Sequence, residues 1–394
     1  MTAKKHILPT IVFAQFCCTS LWFAGNAVIS ELILKFNLLP SALGHLTSAV
    51  QFGFISGTLC FALLSIADRF SPSKVFFYCA LLAALTNLGM LLPSNTLTTL
   101  LIWRFLVGFF LAGIYPVGMK IAADYFQKGL GTSLGFLVGA LVLGTAFPHL
   151  INGLDAGLSA ITVVATTSGL SVLGGLSILL LVPDGPYRKA QSKLDMKLIP
   201  KLFKNRKFKS AAFGYFGHMW ELYTFWAFVP VMLSSFLLQK DQSITDVPFW
   251  SFFIIAIGSL GCIAGAYISR RFGEQQTAFC SLVVSGLCCL LFPVVYAQAS
   301  PELFIGYLLF WGIFVIADSP LFSTMVANAT EPQSKGTALT IVNCLGFSLT
   351  IVSIQSMAFL SNWLDIKYLF MILAIGPLCG ISYFFFAKLR QYTD

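Results

Sequence analysis

Two ionisable side chains stand three residues apart in a long apolar segment that opens the second half of this 394-residue chain. They are His218 and Glu221, which would share one face of a helix. Ionisable groups inside lipid are costly and commonly functional. Glu221 lies about 15 Å along the helix from Ala211, where the apolar segment begins. Burial there disfavours the carboxylate form, so Glu221 is predicted to gain and lose a proton during a working cycle. His218 is predicted to tune or relay that coupling proton.

Structural roles for these groups remain open, and two further charges lie in apolar segments. His218 and Glu221 could instead form a hydrogen-bonded pair that locks their helix to a neighbour. Asp318 could be a second protonation site or a counter-charge to a bound cation, or could cap backbone groups freed before Pro320. Arg104 could bind an anionic substrate, snorkel outward or pair with a carboxylate such as Glu31. A structural or proton-coupling role for Arg104 is favoured over direct substrate contact.

Composition identifies the class of protein that holds these groups. The chain is 57% hydrophobic and 10% charged, whereas soluble domains carry about a quarter charged residues. Runs of about 20 apolar residues, the length that crosses a bilayer, occur twelve times. Their predicted limits are Ile7–Leu34, Leu43–Ile66, Val75–Leu92, Leu97–Phe126, Thr132–Gly153, Ala160–Val182, Ala211–Leu237, Phe249–Ile268, Thr277–Ala297, Leu303–Ala327, Gly336–Leu360 and Tyr368–Lys388.

The distribution of basic residues predicts the orientation. With twelve spans, 20 of the 24 Lys and Arg fall on the side of both termini and only three on the other. Nine of them lie between Arg188 and Lys209 in the central loop. The positive-inside rule then places both termini in the cytoplasm. The protein is predicted to lie in the inner (plasma) membrane of the cell. The same distribution argues against a nucleic-acid partner for the net charge of +9.

The two halves of the chain resemble each other. Matching residues in equivalent spans are separated by 202 to 205 positions. The pairs are Arg69 and Arg271, Trp22 and Trp226, Pro116 and Pro320, and Gly131 and Gly336. The predicted fold is therefore all-α, with twelve transmembrane helices in two parallel six-helix pseudo-repeats, an arrangement that places the substrate between them. The predicted domains are residues 1–183 and 211–394, joined by a basic cytoplasmic linker at 184–210.

Three segments resemble the major facilitator superfamily. The segment IADRF at Ile66–Phe70 is similar to the family's loop G-x-L-A-D-R-x-G-R-K, and Ile268–Gly273 resembles its second copy. Arg104, Gly108 and Ala112 resemble the family's R-x-x-x-G-x-x-x-A element. The fifth span, with glycines at 131, 135, 139 and 144, is similar to the Gly-rich span of drug–proton antiporters, although Ala140 replaces the usual proline. The glycines at 131, 135 and 139, spaced four residues apart, are also expected to let helices approach closely.

The resemblance and the polar residues together suggest roles for other side chains. By resemblance, Asp68 pairs with the inner end of a neighbouring helix and closes the cytoplasmic side, with Arg69 and Arg271 in the same gating loops. The alternative is a turn that only sets topology. Polar and aromatic side chains are candidates for the substrate cavity, although each could equally pack between helices or face lipid. They are Trp226, Tyr223, Trp22, Asn26, Gln51, His149 and Tyr115, with Trp220 and Trp311 as further aromatic candidates.

The predicted function is secondary transport of a small organic solute by alternating access, coupled to protons. The Arg104 element and the Gly-rich fifth span favour export. One alternative is uptake of a small anion or metabolite by proton symport, with Arg104 or His149 contacting the anion. An alternative of another class is a transporter-like sensor without flux. The sequence offers no reactive constellation for an enzyme, and its ten Cys show no metal or disulfide spacing. We expect a monomer that needs the lipid bilayer but no cofactor or metal.

Overall fold

A computed structural model describes residues 5–126, 130–154, 160–188, 194–241 and 246–389. Five positions of the predicted linker, 189–193, lie outside these described residues. Within them the chain is helical and contains no strand. Over the described ranges, eleven helical stretches are long and apolar enough to cross a membrane, and Ile7–Thr19 is a shorter apolar helix. The contacts divide the chain into two units.

The first unit comprises Met1–Gln191 and Ser243–Ala256. Its helices are α1 (Ile7–Thr19), α2 (Ala24–Ala27), α3 (Ile29–Phe36), α4 (Ala42–Leu63), α5 (Ile66–Arg69), α6 (Pro72–Leu88), α7 (Leu97–Leu111), α8 (Tyr115–Tyr125), α9 (Leu130–Gly153) and α10 (Ala160–Leu181). A later helix, which we call α13 (Val247–Ala256), also belongs to this unit, where it packs on α9. A capping box between Thr96 and Thr99 starts α7 by satisfying the first free backbone N–H groups.

The second unit comprises Ser192–Gln242 and Ile257–Asp394. Its remaining helices are α11 (Ile199–Leu202), α12 (Arg206–Gln239), α14 (Gly258–Phe272), α15 (Glu274–Gln298), α16 (Pro301–Ala317), α17 (Ser319–Asn328), α18 (Lys335–Leu360), α19 (Ile366–Leu369) and α20 (Ile375–Leu389). Helix α12 packs on α18 and α20 and also contacts α16 and α17. The Asn205 side chain accepts hydrogen bonds from the N–H groups of Lys207 and Phe208, so α12 begins five residues before the predicted Ala211.

Corresponding spans of the two units are interrupted at corresponding prolines. The fourth span breaks between α7 and α8, where Pro116 occupies the first turn of α8. The tenth span breaks at Asp318, and Pro320 occupies the first turn of α17. Proline lacks a backbone N–H and favours the first turn of a helix over its interior. The shared interruption supports the internal repeat predicted from the sequence.

The first span differs from the continuous helix predicted for Ile7–Leu34. It consists of three helices, α1, α2 and α3, with non-helical turns at residues 20–23 and at Val28. The segment at the first turn contains no proline, the strongest local signal for a break. The break is instead stabilised by a side chain from α7, described below.

Glycines allow the closest helix contacts in the first unit. A Cβ added at Gly53 or at Gly108 would lie 2.0 Å from a backbone oxygen of the facing helix, so α4 and α7 touch through their backbones. In the fifth span Gly144 makes such an approach to α1, whereas Gly131 faces open space with nothing within 4 Å of an added Cβ. The close contact between helices that was predicted for this span is therefore not observed at Gly131.

Candidate functional site

Glu221 lies in the middle of α12 and is only 1% exposed. Trp311 on α16 donates its indole N–H to Glu221 Oε1 at 2.6 Å, and the Cys289 thiol lies 3.4 Å from the same oxygen. The Ser285 hydroxyl of α15 lies 2.9 Å from the other oxygen, Oε2. Both carboxyl oxygens are therefore held by side chains from two neighbouring helices, as buried polar groups require.

Ser285 can serve both protonation states of this carboxyl group. A carboxylate accepts the serine hydroxyl hydrogen. A neutral carboxyl group can donate its own hydrogen to Ser285 Oγ, because a hydroxyl both donates and accepts. The serine hydrogen can then turn to the Leu282 carbonyl, which lies 3.2 Å from Oγ. The proton on Glu221 can thus come and go without leaving Oε2 unsatisfied.

His218 and Asp318 form a second buried polar pair beside this group. His218 Nδ1 lies 2.8 Å from Asp318 Oδ1, and both side chains are 1% exposed. Asp318 is the residue at which the tenth span breaks into α16 and α17. The contact between Nδ1 and Oδ1 is short but does not have hydrogen-bond geometry, and none of the four polar atoms of these side chains has a hydrogen-bond partner within the described residues. The pair therefore leaves hydrogen-bonding capacity unused on both side chains.

The two residues of the original motif contact different partners. His218 reaches the junction of α16 and α17, whereas Glu221 reaches α15 and α16. Both nevertheless tie α12 to the tenth span. Asp318, predicted as an independent candidate, belongs to the same cluster. Ser285 and Cys289 could not be identified from the sequence, since buried serines and cysteines are common in packed helices.

Arg104 is fully buried in the first unit and hydrogen-bonds to the backbone where the first span is broken. Its Nη1 donates to the Leu21 carbonyl at 3.1 Å, and its Nη2 donates to the Trp22 carbonyl. These carbonyls belong to the turn at which α1 ends, where backbone acceptors lose their helical partners. Glu31, a suggested partner for Arg104, instead accepts a hydrogen bond from the backbone N–H of Ala160. Full burial also rules out snorkelling to the surface.

The candidate cavity residues are distributed over both units. In the first unit, Asn26 donates to Thr47 Oγ1 at 2.8 Å, and the Trp22 ring lies 4.9 Å from that of Phe54. The Gln51 amide and His149 Nε2 are buried with no hydrogen-bond partner among the residues the structure describes. Tyr115 is half-buried in the first turn of α8. In the second unit, the rings of Tyr223 and Trp226 lie 5.2 Å apart. Their role in substrate binding stays a prediction.

The loop between α4 and α6 is linked by charged contacts to α8, the second part of the fourth span. Asp68 Oδ1 lies 2.9 Å from Lys120 Nζ on α8. Arg188 Nη2 donates to the Asp68 carbonyl at 3.0 Å and to the Phe70 carbonyl at 2.8 Å. Arg188 also forms a 2.6 Å ion pair with Asp184. The sequence indicated neither Lys120 nor Arg188 as a partner, because the contacts join segments 50 and 120 residues apart.

The other two predicted gating residues, Arg69 and Arg271, are exposed, whereas Asp68 is partly buried. The Arg271 guanidinium carbon lies 5.4 Å from the ring centroid of Phe272. Their gating role stays a prediction. Within the described ranges, no three His, Cys, Asp or Glu side chains are grouped so as to hold a metal ion.

The fold and sequence are similar to those of known membrane transporters. The chain is 24% identical over 352 residues to a Haemophilus influenzae protein named "Putative metabolite transport protein", an alignment covering 81% of this chain and 80% of that one. It is 27% identical over 179 residues to the niacin transporter NiaP of Acinetobacter baylyi, which covers 38% of this chain and 40% of that protein.

Two solved structures share the whole fold. A bacterial homologue of the human lysosomal transporter Spinster superposes with a TM-score of 0.72 at 14% identity, covering 98% of each chain. The nucleoside transporter NupG superposes with a TM-score of 0.71 at 15% identity, covering 97% of this chain and 99% of that one. The sequence model described as "Major Facilitator Superfamily" matches residues 11–354. This chain therefore belongs to the major facilitator superfamily, and its all-α, twelve-span fold is confirmed.

Proposed function

We propose that this chain is a proton-coupled secondary transporter of a small organic metabolite. The observation that carries the proposal is the environment of Glu221, whose carboxyl group is buried yet has a partner in Ser285 for either protonation state. A buried carboxyl group that is always ionised or always protonated does not need a partner that can both donate and accept a hydrogen bond. A carboxyl group that alternates between the two states during a transport cycle does need one.

The His218 and Asp318 pair supports the same role. Removing a partner from a buried pair leaves an uncompensated polar group, which costs several kcal/mol. A change in the protonation of either residue therefore changes the energy of the contact between α12 and the junction of α16 and α17. This contact couples a proton to the packing of the tenth span, at the point where that span is already broken.

The direct test uses the purified protein in proteoliposomes with a pH-sensitive dye inside. A panel of metabolites is added under an imposed pH gradient, and solute flux and internal pH are recorded together. If one proton moves with each solute, a gradient of one pH unit supports about tenfold accumulation, since each unit is worth about 1.4 kcal/mol. The sign of the pH change distinguishes export by antiport, which the sequence favours, from uptake by symport. Absence of flux with every solute would instead support a sensor.

Glu221→Gln is the variant that tests the residue assigned to the proton. The amide keeps the shape and hydrogen-bonding capacity of the side chain but cannot release a proton, so gradient-driven accumulation should fall to the background level. Glu302→Gln is the matched control, because Glu302 is exposed at the start of α16 in the same unit. Accumulation by Glu221→Gln at the wild-type rate and pH dependence would refute the assignment.

A second candidate is uptake of a small aromatic carboxylate by proton symport. The observation favouring it is the similarity to the niacin transporter NiaP, although the alignment covers two-fifths of each chain. Nicotinate is flat and anionic, a shape that suits the Tyr223 and Trp226 rings. Nicotinate therefore belongs in the solute panel. Its accumulation with internal acidification, weakened by Trp226→Ala, is the result this candidate requires.

A further inference from the structure

An open cavity of about 960 Å³ lies at one end of the second unit, at the start of α12 rather than at its midpoint. It is formed where α12 and α15 begin and where α14 and α17 end. Arg206, Lys207 and Ser210 line it from α12, and Gln275 and Gln276 line it from α15. Glu221, His218 and Asp318 are not among its lining residues.

The backbone of α15 makes this end of the cavity electropositive. The first N–H groups of a helix have no intrahelical acceptor and carry the positive end of the helix dipole. Helix α15 is 25 residues long and begins at Glu274 without a side-chain cap in the part of the chain described. Gly273, which also lines the cavity, has a φ of 86° that turns the chain sharply into the helix. Such helix starts are common binding sites for anions.

The charged side chains that line the cavity have a positive balance. Arg206 and Lys207 contribute two cations, and Glu274 contributes one carboxylate. The Glu274 carboxylate already accepts a hydrogen bond from the Asn328 amide at 3.2 Å. The two cations stand on the first turn of α12, from which the flexible side chain of Lys207 can follow an anion in the cavity.

Ser210 provides an independent indication of a ligand. It lines the cavity and is 5% exposed, and its Oγ has no hydrogen-bond partner within the described residues. A helical serine usually bonds its hydroxyl back to a carbonyl of the preceding turn. A buried hydroxyl without a partner costs about 1–3 kcal/mol. An acceptor in the cavity would remove this cost.

We propose that this cavity binds a phosphate-bearing anion, either the headgroup of an anionic phospholipid or a soluble phosphate ester. The guanidinium of Arg206 and the ammonium of Lys207 neutralise the phosphate charge. The first backbone N–H groups of α15 and the Ser210 hydroxyl donate hydrogen bonds to its oxygens. The volume exceeds that of a lone phosphate group, so part of the attached alcohol also fits. The proposal concerns a site distinct from the proton-coupling cluster and does not depend on transport.

The test measures the thermal stability of the full-length protein in detergent at constant ionic strength. The probes are phosphatidylglycerol, phosphatidylcholine and inorganic phosphate, because a ligand that binds only the folded state raises its melting temperature. A rise with phosphatidylglycerol alone identifies the lipid headgroup, and a rise with phosphate as well identifies the soluble anion. Phosphatidylcholine, which is zwitterionic, should have little effect. No rise with either anionic probe would overturn the proposal.

Matched variants separate this site from general charge attraction. Arg206→Gln with Lys207→Gln should weaken binding of the anionic probe at least tenfold, about the contribution of one charge-assisted hydrogen bond. Lys204→Gln with Lys209→Gln removes the same charge from neighbouring positions that do not line the cavity, and should leave binding unchanged. Ser210→Ala should weaken binding by about three- to tenfold without changing the charge. Equal losses in both double variants, or unchanged binding in Ser210→Ala, would refute the site.

Discussion

Gly108→Ala tests whether the contact between α4 and α7 is as tight as the structure indicates. An alanine Cβ at this position would lie 2.0 Å from the Val50 carbonyl oxygen and 2.9 Å from the Phe54 nitrogen. Ordinary contacts between carbon and oxygen lie at about 3.3 Å or more, so the two helices must separate by about 1.3 Å. The obstacle is backbone, which cannot rotate away as a side chain can.

The cost follows from the packing that this separation removes. A gap of 0.5–1 Å already loses about a quarter to a half of the dispersion energy at each contact. Overpacked sites cost about 1–3 kcal/mol, and a rigid backbone obstacle places Gly108→Ala at the upper end of this range. At about 2 °C per kcal/mol for a large domain, we expect the melting temperature to fall by about 6 °C.

The matched control is Gly169→Ala in α10. A Cβ there meets nothing within 4 Å, and alanine favours a helix over glycine by about 1 kcal/mol. This variant should be as stable as the wild type or slightly more stable. Both variants are compared by thermal unfolding in the same detergent. A melting temperature of Gly108→Ala within 1 °C of that of Gly169→Ala, a margin set by the ~2 °C per kcal/mol scale, would show that the helices are not in backbone contact.

Three further predictions concern polar contacts. Asn87→Ala removes an amide that donates to the Val164 carbonyl and to two hydroxyls at 3.0–3.2 Å, and thermal unfolding should show a loss of about 1–3 kcal/mol. Arg104→Lys keeps the charge but not the forked guanidinium that reaches two carbonyls. Its melting temperature should therefore lie between those of the wild type and Arg104→Ala. Equal melting temperatures for the Lys and Ala variants would assign the effect to the forked geometry alone. Asp68→Asn breaks a partly exposed ion pair with Lys120 and should cost less than about 1 kcal/mol of stability, while transport in proteoliposomes slows if the pair closes a gate; unchanged transport would contradict that role.

The sequence predicted those features that are determined by local composition. Apolar runs identified the spans, since each helix in lipid must satisfy its own backbone and present apolar side chains. Pro320 indicated a break in the tenth span, because proline removes a hydrogen bond from the helix, whereas the break at Pro116 was not predicted and became evident only in the structure. The position of Glu221 in the middle of a span was evident for the same reason.

Features that depend on tertiary packing could not be predicted. The break at residues 20–23 is not marked by a proline, and the arginine that stabilises it lies more than 80 positions away. Ser285 as the partner of Glu221, and Asp318 as that of His218, required the relative rotation of three helices, which hydropathy does not specify. Glycine spacing gave candidates for close approach, yet only the facing helix determines that Gly144 is in contact and Gly131 is not.

The interruption of the first span has a consequence for biosynthesis. When this span emerges from the ribosome, Arg104, which donates hydrogen bonds to the carbonyls of Leu21 and Trp22, is made only some 80 residues later. At 5–20 residues per second this takes about 4–16 s. Arg104 in turn costs about 2.5–3.5 kcal/mol when its helix inserts into lipid alone. Because Arg104 of the fourth span hydrogen-bonds to the backbone of the first span, insertion of the first four spans should be cooperative. It should be completed only when the fourth span is made.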